Sequence, residues 1–179
     1  MRIRFSLAAL LCAAFACAQQ DKPAEKLAPY YPTPETVVER MLKLGALKPG
    51  EKMFDLGSGD GRIVIMAADK FKADATGIEF DADLYKESSA RIRALGLEKR
   101  ARIIHGDIAQ QDFSQAALLT VYLLPSSNDK IRPMLEKQLK KGARVVAHDF
   151  MFQGWTPVKE EHIEDDGEGR SHTLYLYVR

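Results

Sequence analysis

Phe54-Asp55-Leu56-Gly57-Ser58-Gly59-Asp60-Gly61-Arg62 decides the fold. An apolar run from Lys52 to Leu56 leads into it, and a run with helical spacing from Arg62 to Phe71 leads out. A strand that turns through closely spaced glycines straight into a helix opens a nucleotide-binding βαβ unit. The glycines let the chain turn sharply and let a ligand approach the main chain. The free N–H groups at the helix start attract an anionic group. The next strand, Ala75 to Phe80, ends in Gly77-Ile78-Glu79-Phe80-Asp81. Glu79 stands 22 residues after Gly57, where a carboxylate can reach a ribose diol. Together the two segments specify a nucleoside lying across the strand ends.

The alternation continues in both directions. Downstream the pattern predicts a helix from Ala82 to Leu95 closed by Gly96, a strand from Ala101 to His105 and an apolar strand from Leu118 to Leu124. A helix from Asn128 to Leu139, with Ile131, Met134, Leu135 and Leu139 on one face, and a strand from Ala143 to His148 follow. Upstream, Thr33-Pro34-Glu35 reads as a helix start, with Thr33 as N-cap and Pro34 in the first position. Val37, Val38, Met41, Leu42 and Leu44 then share a face, and Gly45 and Pro49-Gly50 stop the helix. Repeated strand–helix units predict an α/β fold, a Rossmann-like doubly wound and mostly parallel sheet covered on both faces. Pro157 to Ile163 and Thr173 to Val178, around Asp165-Asp166-Gly167, add a C-terminal antiparallel hairpin at the sheet edge. Residues 34–179 make one domain, entered through a polar, proline-bearing linker at 19–33.

The chain has 179 residues, 46% hydrophobic and 28% charged, which excludes wholesale disorder and a polytopic membrane protein. A net charge of +1 offers no global field for nucleic acid. Residues 1–18, MRIRFSLAALLCAAFACA, combine a basic start at Arg2 and Arg4 with an apolar run of 12 residues from Leu7. The run ends in Ala16-Cys17-Ala18, the layout of a signal peptide, and is shorter than the ~20 residues a spanning helix needs. A lipid anchor on Cys17, an uncleaved membrane anchor, an organelle-targeting segment and a buried N-terminal helix are the alternatives. Cleavage after Ala18 removes both cysteines, Cys12 and Cys17, and takes the net charge from +1 to −1. With no other cysteine and no clustered His/Asp spacing, no metal site is read.

The glycine spacing chooses among nucleosides. Gly57, Gly59 and Gly61 give G-x-G-x-G behind an acid, not the dinucleotide G-x-G-x-x-G. The pattern resembles the class I S-adenosylmethionine-dependent methyltransferases. The resemblance implies that Asp55 and the loop residues Gly57, Ser58, Gly59 and Gly61 hold the methionine part of S-adenosyl-L-methionine. It implies that Glu79, with Phe80 beside it, holds the ribose. In His105-Gly106-Asp107-Ile108, it places Asp107 and Ile108 at the adenine. Taken alone, the glycines make a tight turn, Asp107 serves as a helix cap and Asp55 braces the loop.

Tyr30-Tyr31-Pro32-Thr33-Pro34, the glycine loop, Val121-Tyr122-Leu123-Leu124-Pro125, Lys141 to Val146, and His148-Asp149-Phe150 with Trp155 occur in that order. The set is similar to small protein-lysine methyltransferases, among them the ATP synthase c-subunit lysine N-methyltransferases and their bacterial relatives. That resemblance spans residues 30–179. It implies a protein substrate with a lysine side chain, and it places Tyr31, Thr33, Leu124, Pro125 and Asn128 around cofactor and target amine. The acceptor-side candidates are Tyr31, Asn128 and Asp149. Their plainer roles are a hydrophobic plug, a helix cap and a strand-end cap respectively. Amine methyltransferases that act on nucleobases or glutamine carry Asp or Asn, then Pro-Pro and Tyr or Phe, after strand four. Leu124-Pro125-Ser126-Ser127 lacks that opening acid or amide, which with the charge argues against nucleic acid.

His105 and His148 read as strand-end packing residues, Trp155 as an edge aromatic, and Lys137, Lys140, Lys141 and Arg144 as a solvated helix end. A nucleotide-dependent oxidoreductase and a non-catalytic exported cofactor-binding or interaction domain are the competing functions. The second arises from a conflict: S-adenosylmethionine is made in the cytosol, whereas the leader reads as export or membrane association, and a cytosolic face is reconciled only with an uncleaved anchor.

Overall fold

The computed structural model describes residues 27–179. The leader at 1–18 and the first part of the 19–33 segment lie outside the described residues. Four α-helices and seven strands follow in the order α1 (Glu35–Leu44), β1 (Lys52–Leu56), α2 (Arg62–Asp69), β2 (Asp74–Glu79), α3 (Ala82–Ala94) and β3 (Ala101–His105). Then come β4 (Leu118–Val121), α4 (Pro125–Gln138), β5 (Arg144–His148), β6 (Lys159–Ile163) and β7 (His172–Val178). The strands form one sheet in the order β3-β2-β1-β4-β5-β7-β6. The first five are parallel, and β7 runs antiparallel between β5 and the edge strand β6. Among the described residues, no helix is long and apolar enough to cross a membrane.

Both faces of the sheet are covered because its central strands are apolar on both sides. Neighbouring residues divide between the layers. Leu118 and Val146 join Val37, Met41, Val64 and Ala67 of α1 and α2 on one face. Leu119, Val145 and Ala147 join Ile131 and Leu135 of α4 on the other, where Phe113 also packs. Phe113 is fully buried and meets Phe54 edge-on at 5.3 Å.

Several boundaries shift by a residue or two, and two of the differences have a clear local cause. Strand β4 stops at Val121, and Leu124 becomes the N-cap of α4, which starts at Pro125. Proline at the first helical position has no N–H to leave unpaired, so α4 begins three residues before Asn128. Thr33 does not cap α1. The N-cap is Pro34, without a side-chain bond, and the Thr33 hydroxyl instead meets His148 Nδ1 at 3.2 Å. Arg144 also leaves the basic cluster. Its guanidinium binds Glu51 at 2.6 Å and donates to the carbonyls of Gly45 and Ala46.

Candidate active site

In a sheet ordered 3-2-1-4-5, the connections leave in opposite directions from β1, and a crevice opens beyond its carboxyl end. An open cavity occupies that position. Its floor is the loop from Asp55 to Asp60, its sides are Ile78 to Phe80 and Asp107-Ile108, and Tyr122 and Leu123 close it beyond β4.

The loop turns through left-handed glycines, with φ of 80° at Gly57 and 55° at Gly59. A side chain is also excluded at Gly59 by Tyr30, whose ring carbon lies 2.7 Å from where a Cβ would stand. Glu79 is buried and holds this loop. Its Oε2 accepts the Gly59 N–H at 2.6 Å, and its Oε1 accepts the Asp81 N–H at 2.8 Å. Asp55 is 2% exposed. Thr120 donates to its Oδ1 at 2.7 Å, whereas Oδ2 is buried with no partner. Burial pushes the carboxyl up to about 7. An unpaired buried oxygen on a cavity wall is costly unless a ligand completes it.

Residues 27–33 form the remaining wall as a strap across the cavity. Arg62 donates to the Thr33 carbonyl at 2.9 Å while gripping both oxygens of Asp60. Burial opposes the charge on Asp60, but Arg62 and Arg91 outweigh it and hold the carboxyl below its usual range. Ser127 donates to the Leu27 carbonyl, and Arg170 donates to the Tyr31 hydroxyl at 2.9 Å.

Ten of the residues singled out from sequence line the cavity: Tyr31, Thr33, Asp55, Gly57, Ser58, Gly59, Glu79, Phe80, Asp107 and Ile108. Asp107 also caps a 3-10 turn at Ile108–Gln110, accepting the Ala109 N–H at 2.8 Å. Gly61, Leu124, Asn128 and Asp149 are not part of the wall. Gly61 packs against Ser88, and Leu124 is an exposed helix cap. Asn128 is 1% exposed inside the first turn of α4, where its amide donates to the Phe150 carbonyl at 3.0 Å. Asp149 meets the cavity only through Tyr122, whose hydroxyl donates to its Oδ2 at 3.3 Å. Burial, then Asp149, push the Tyr122 hydroxyl up to about 12, so it stays a neutral donor. Tyr30, Asp60, Arg62 and Tyr122 were not among the expected residues. Tyr122 carried a signal, because the apolar β4 has to end in the crevice.

Comparisons with known proteins agree with this geometry. The family model for the ANTKMT methyltransferase domain matches residues 55–159. The chain is 42% identical over 151 residues to a protein-lysine N-methyltransferase of Saccharolobus islandicus, covering 84% of this chain and 92% of that protein. It is 32% identical over 139 residues to the human ATP synthase c-subunit lysine N-methyltransferase, covering 78% of this chain but only 58% of the human protein. The crystal structure of a protein described as an RNA methyltransferase from Salinibacter ruber, in complex with S-adenosyl-L-homocysteine, superposes with a TM-score of 0.76 at 40% identity. That match covers 83% of this chain and 93% of the other. The chain therefore belongs to the ANTKMT methyltransferase family and is an S-adenosylmethionine-dependent methyltransferase.

Proposed function

We propose that the protein transfers a methyl group to the side-chain amine of a lysine in a protein substrate. The observation that carries the cofactor side is the unpartnered Asp55 Oδ2, on the cavity wall with the buried Glu79 carboxylate. These two acids suit a ligand that brings an ammonium group and a ribose diol. The lysine side rests on the two relatives named for lysine methylation.

The residues present fit S-adenosylmethionine. Asp55 would take its ammonium, the Gly57–Gly59 main chain its methionine portion, Glu79 the ribose, and Asp107 the adenine. When bound, the cofactor supplies an electrophilic methyl on a sulfonium. The protein's task is then alignment and exclusion of water. The strap at residues 27–33 forms one wall of the cavity. Tyr31 and Tyr122 line the cavity, and their rings would flank an entering amine. A lysine amine entering this partly apolar space has its pKa lowered from ~10.4, so it arrives more readily in the neutral, nucleophilic form.

RNA is the second reading, favoured by the likeness to the Salinibacter ruber protein described as an RNA methyltransferase. The net charge of +1 and the Leu124-Pro125-Ser126-Ser127 sequence at the start of α4 weigh against it. Calorimetric titration with S-adenosylmethionine tests the cofactor assignment. Glu79→Ala is expected to weaken binding by about tenfold or more, as loss of a charged hydrogen-bonding partner does. Glu79→Gln keeps an acceptor for the Gly59 N–H and separates ribose contact from loop support. Absence of binding by folded wild-type protein overturns the assignment. Incubation with labelled methyl donor should mark lysine in protein, and label found in RNA instead selects the second reading.

We infer as well that residues 1–18 export the protein or anchor it to a membrane. The basic start, the short apolar run and the small residues at the boundary support this reading.

A further inference from the structure

Behind the cavity wall, beneath Tyr122, lies a cluster that the proposed methyl transfer does not use. His148 ends β5 and His172 opens β7. In the antiparallel register His148 faces Leu174, so His172, two residues away, points to the same side. Asp149 should point to the opposite face. Its φ of 58° breaks the strand and returns its carboxylate to the histidines. A non-glycine residue held in that conformation stores strain, which persists where the surroundings require it.

The three side chains converge on a small triangle. His148 Nε2 lies 2.9 Å from His172 Nδ1. Asp149 Oδ2 is 3.2 Å from His172 Nδ1 and 3.4 Å from His148 Nε2. Two ligands on a tetrahedral zinc ion, each bound at about 2.0 to 2.2 Å, stand about 3.3 Å apart. The remaining polar atoms of the trio are already engaged and fix its orientation. His148 Nδ1 meets the Thr33 hydroxyl at 3.2 Å, and Asp149 Oδ1 accepts the Thr173 N–H at 2.9 Å. His172 Nε2 meets Asp166 Oδ2 at 3.2 Å. Asp166 is itself buried and held by the Arg170 guanidinium and the N–H groups of Glu168 and Arg170. A carboxylate behind the far nitrogen of an imidazole keeps the proton there and turns the near lone pair inward, the outer-shell arrangement of metal-binding histidines. With that tautomer, His172 Nδ1 and Asp149 Oδ2 face one another as two acceptors, and a cation between them removes the repulsion.

We propose that His148, Asp149 and His172 bind a divalent transition-metal ion of the zinc type. Two imidazoles and one carboxylate are borderline ligands that suit zinc better than calcium or magnesium. Spacing in the chain conceals the site, because only the β5–β7 pairing brings His172 to the other two. The ion would fasten the ends of β5 and β7, with the Thr33 strap and the turn at Asp166 in its outer shell. It lies one hydrogen bond from the cavity, through the Tyr122 hydroxyl on Asp149 Oδ2.

The test is calorimetric titration of the chelator-stripped full chain with zinc sulfate, repeated with cobalt and read by visible absorption. One equivalent of zinc should bind. Asp149→Asn and His172→Gln should each weaken binding by at least about tenfold and remove the cobalt bands. His162→Gln, at an exposed pair with Glu164, should leave both signals unchanged. If the buried His172 variant fails to fold, the more exposed Asp149 variant decides. No stoichiometric binding by folded wild-type protein overturns the proposal, and so does zinc binding that survives the Asp149 substitution.

Discussion

At the level of one residue, Asp55 is where the proposed cofactor site costs the fold stability. Its folded carboxyl titrates near 7, raised by burial, whereas the same group in an unfolded chain titrates near 3.8. Between those values the folded chain holds a proton that the unfolded chain has lost. Stability therefore falls as pH rises through this window, by about 4 kcal/mol in total. Asp55→Asn keeps the acceptor that Thr120 uses and removes the charge. The variant should match wild type near about pH 3, below both values, and unfold at higher denaturant near about pH 8, as read by urea titration at both. Cofactor affinity should move the other way. In the wild type it should rise with pH as Asp55 ionises to meet an ammonium group, and in Asp55→Asn the rise should disappear. A flat wild-type profile would remove Asp55 from the cofactor contact.

At the scale of elements, the strap at 27–33 depends on contacts that no local pattern encodes. Its fastenings reach across 29 residues to Arg62, 100 to Ser127 and 139 to Arg170. Arg62→Ala removes a charged hydrogen bond to the Thr33 carbonyl and the main partner of Asp60, and such bonds contribute about 1.5 to 3 kcal/mol each. Amide exchange at residues 28–33 should quicken at least about tenfold and cofactor affinity should fall by a similar factor. Exchange in β1 and β2 should stay as in the wild type, since α2 keeps its apolar face. Unchanged exchange in the strap would show that Tyr30 packing on Gly59 holds it without Arg62. The same contrast explains which elements could be read from sequence. The βαβ alternation and the glycine loop are local patterns of apolar period and φ, so β1, β3 and the start of α2 fall at the expected residues. Asp55, Glu79 and Asp107 follow from their places at strand ends. The strap has no period and reads as a linker, although it walls the cavity. Thr33 has the chemistry of a cap and is diverted to His148, 115 residues away. Asn128 is likewise diverted to the Phe150 carbonyl by a helix that starts early on Pro125.

For the whole molecule, the proposed export or anchor segment and the cofactor make opposite demands. Both cysteines lie within residues 1–18, so removing that segment leaves a chain with no thiol to oxidise. The strap begins at Leu27, with eight residues between it and the segment's end, and is fastened to the domain by main-chain carbonyls and the Tyr31 hydroxyl. Cleavage after Ala18 therefore spares every one of these fastenings. The full-length protein, expressed with a C-terminal tag and fractionated, should be recovered outside the cytosol with Gln19 as its first residue. A chain beginning at Cys17 and carrying a lipid would instead identify an anchor and would still place the domain beyond the membrane. Recovery of the intact chain from Met1 on the cytosolic side would overturn export. Either exported form must then meet a cofactor made in another compartment, so labelled methyl transfer by the fractionated protein, with and without added S-adenosylmethionine, decides whether supply limits its activity. A dependence on added cofactor is expected if the mature domain works where the leader sends it.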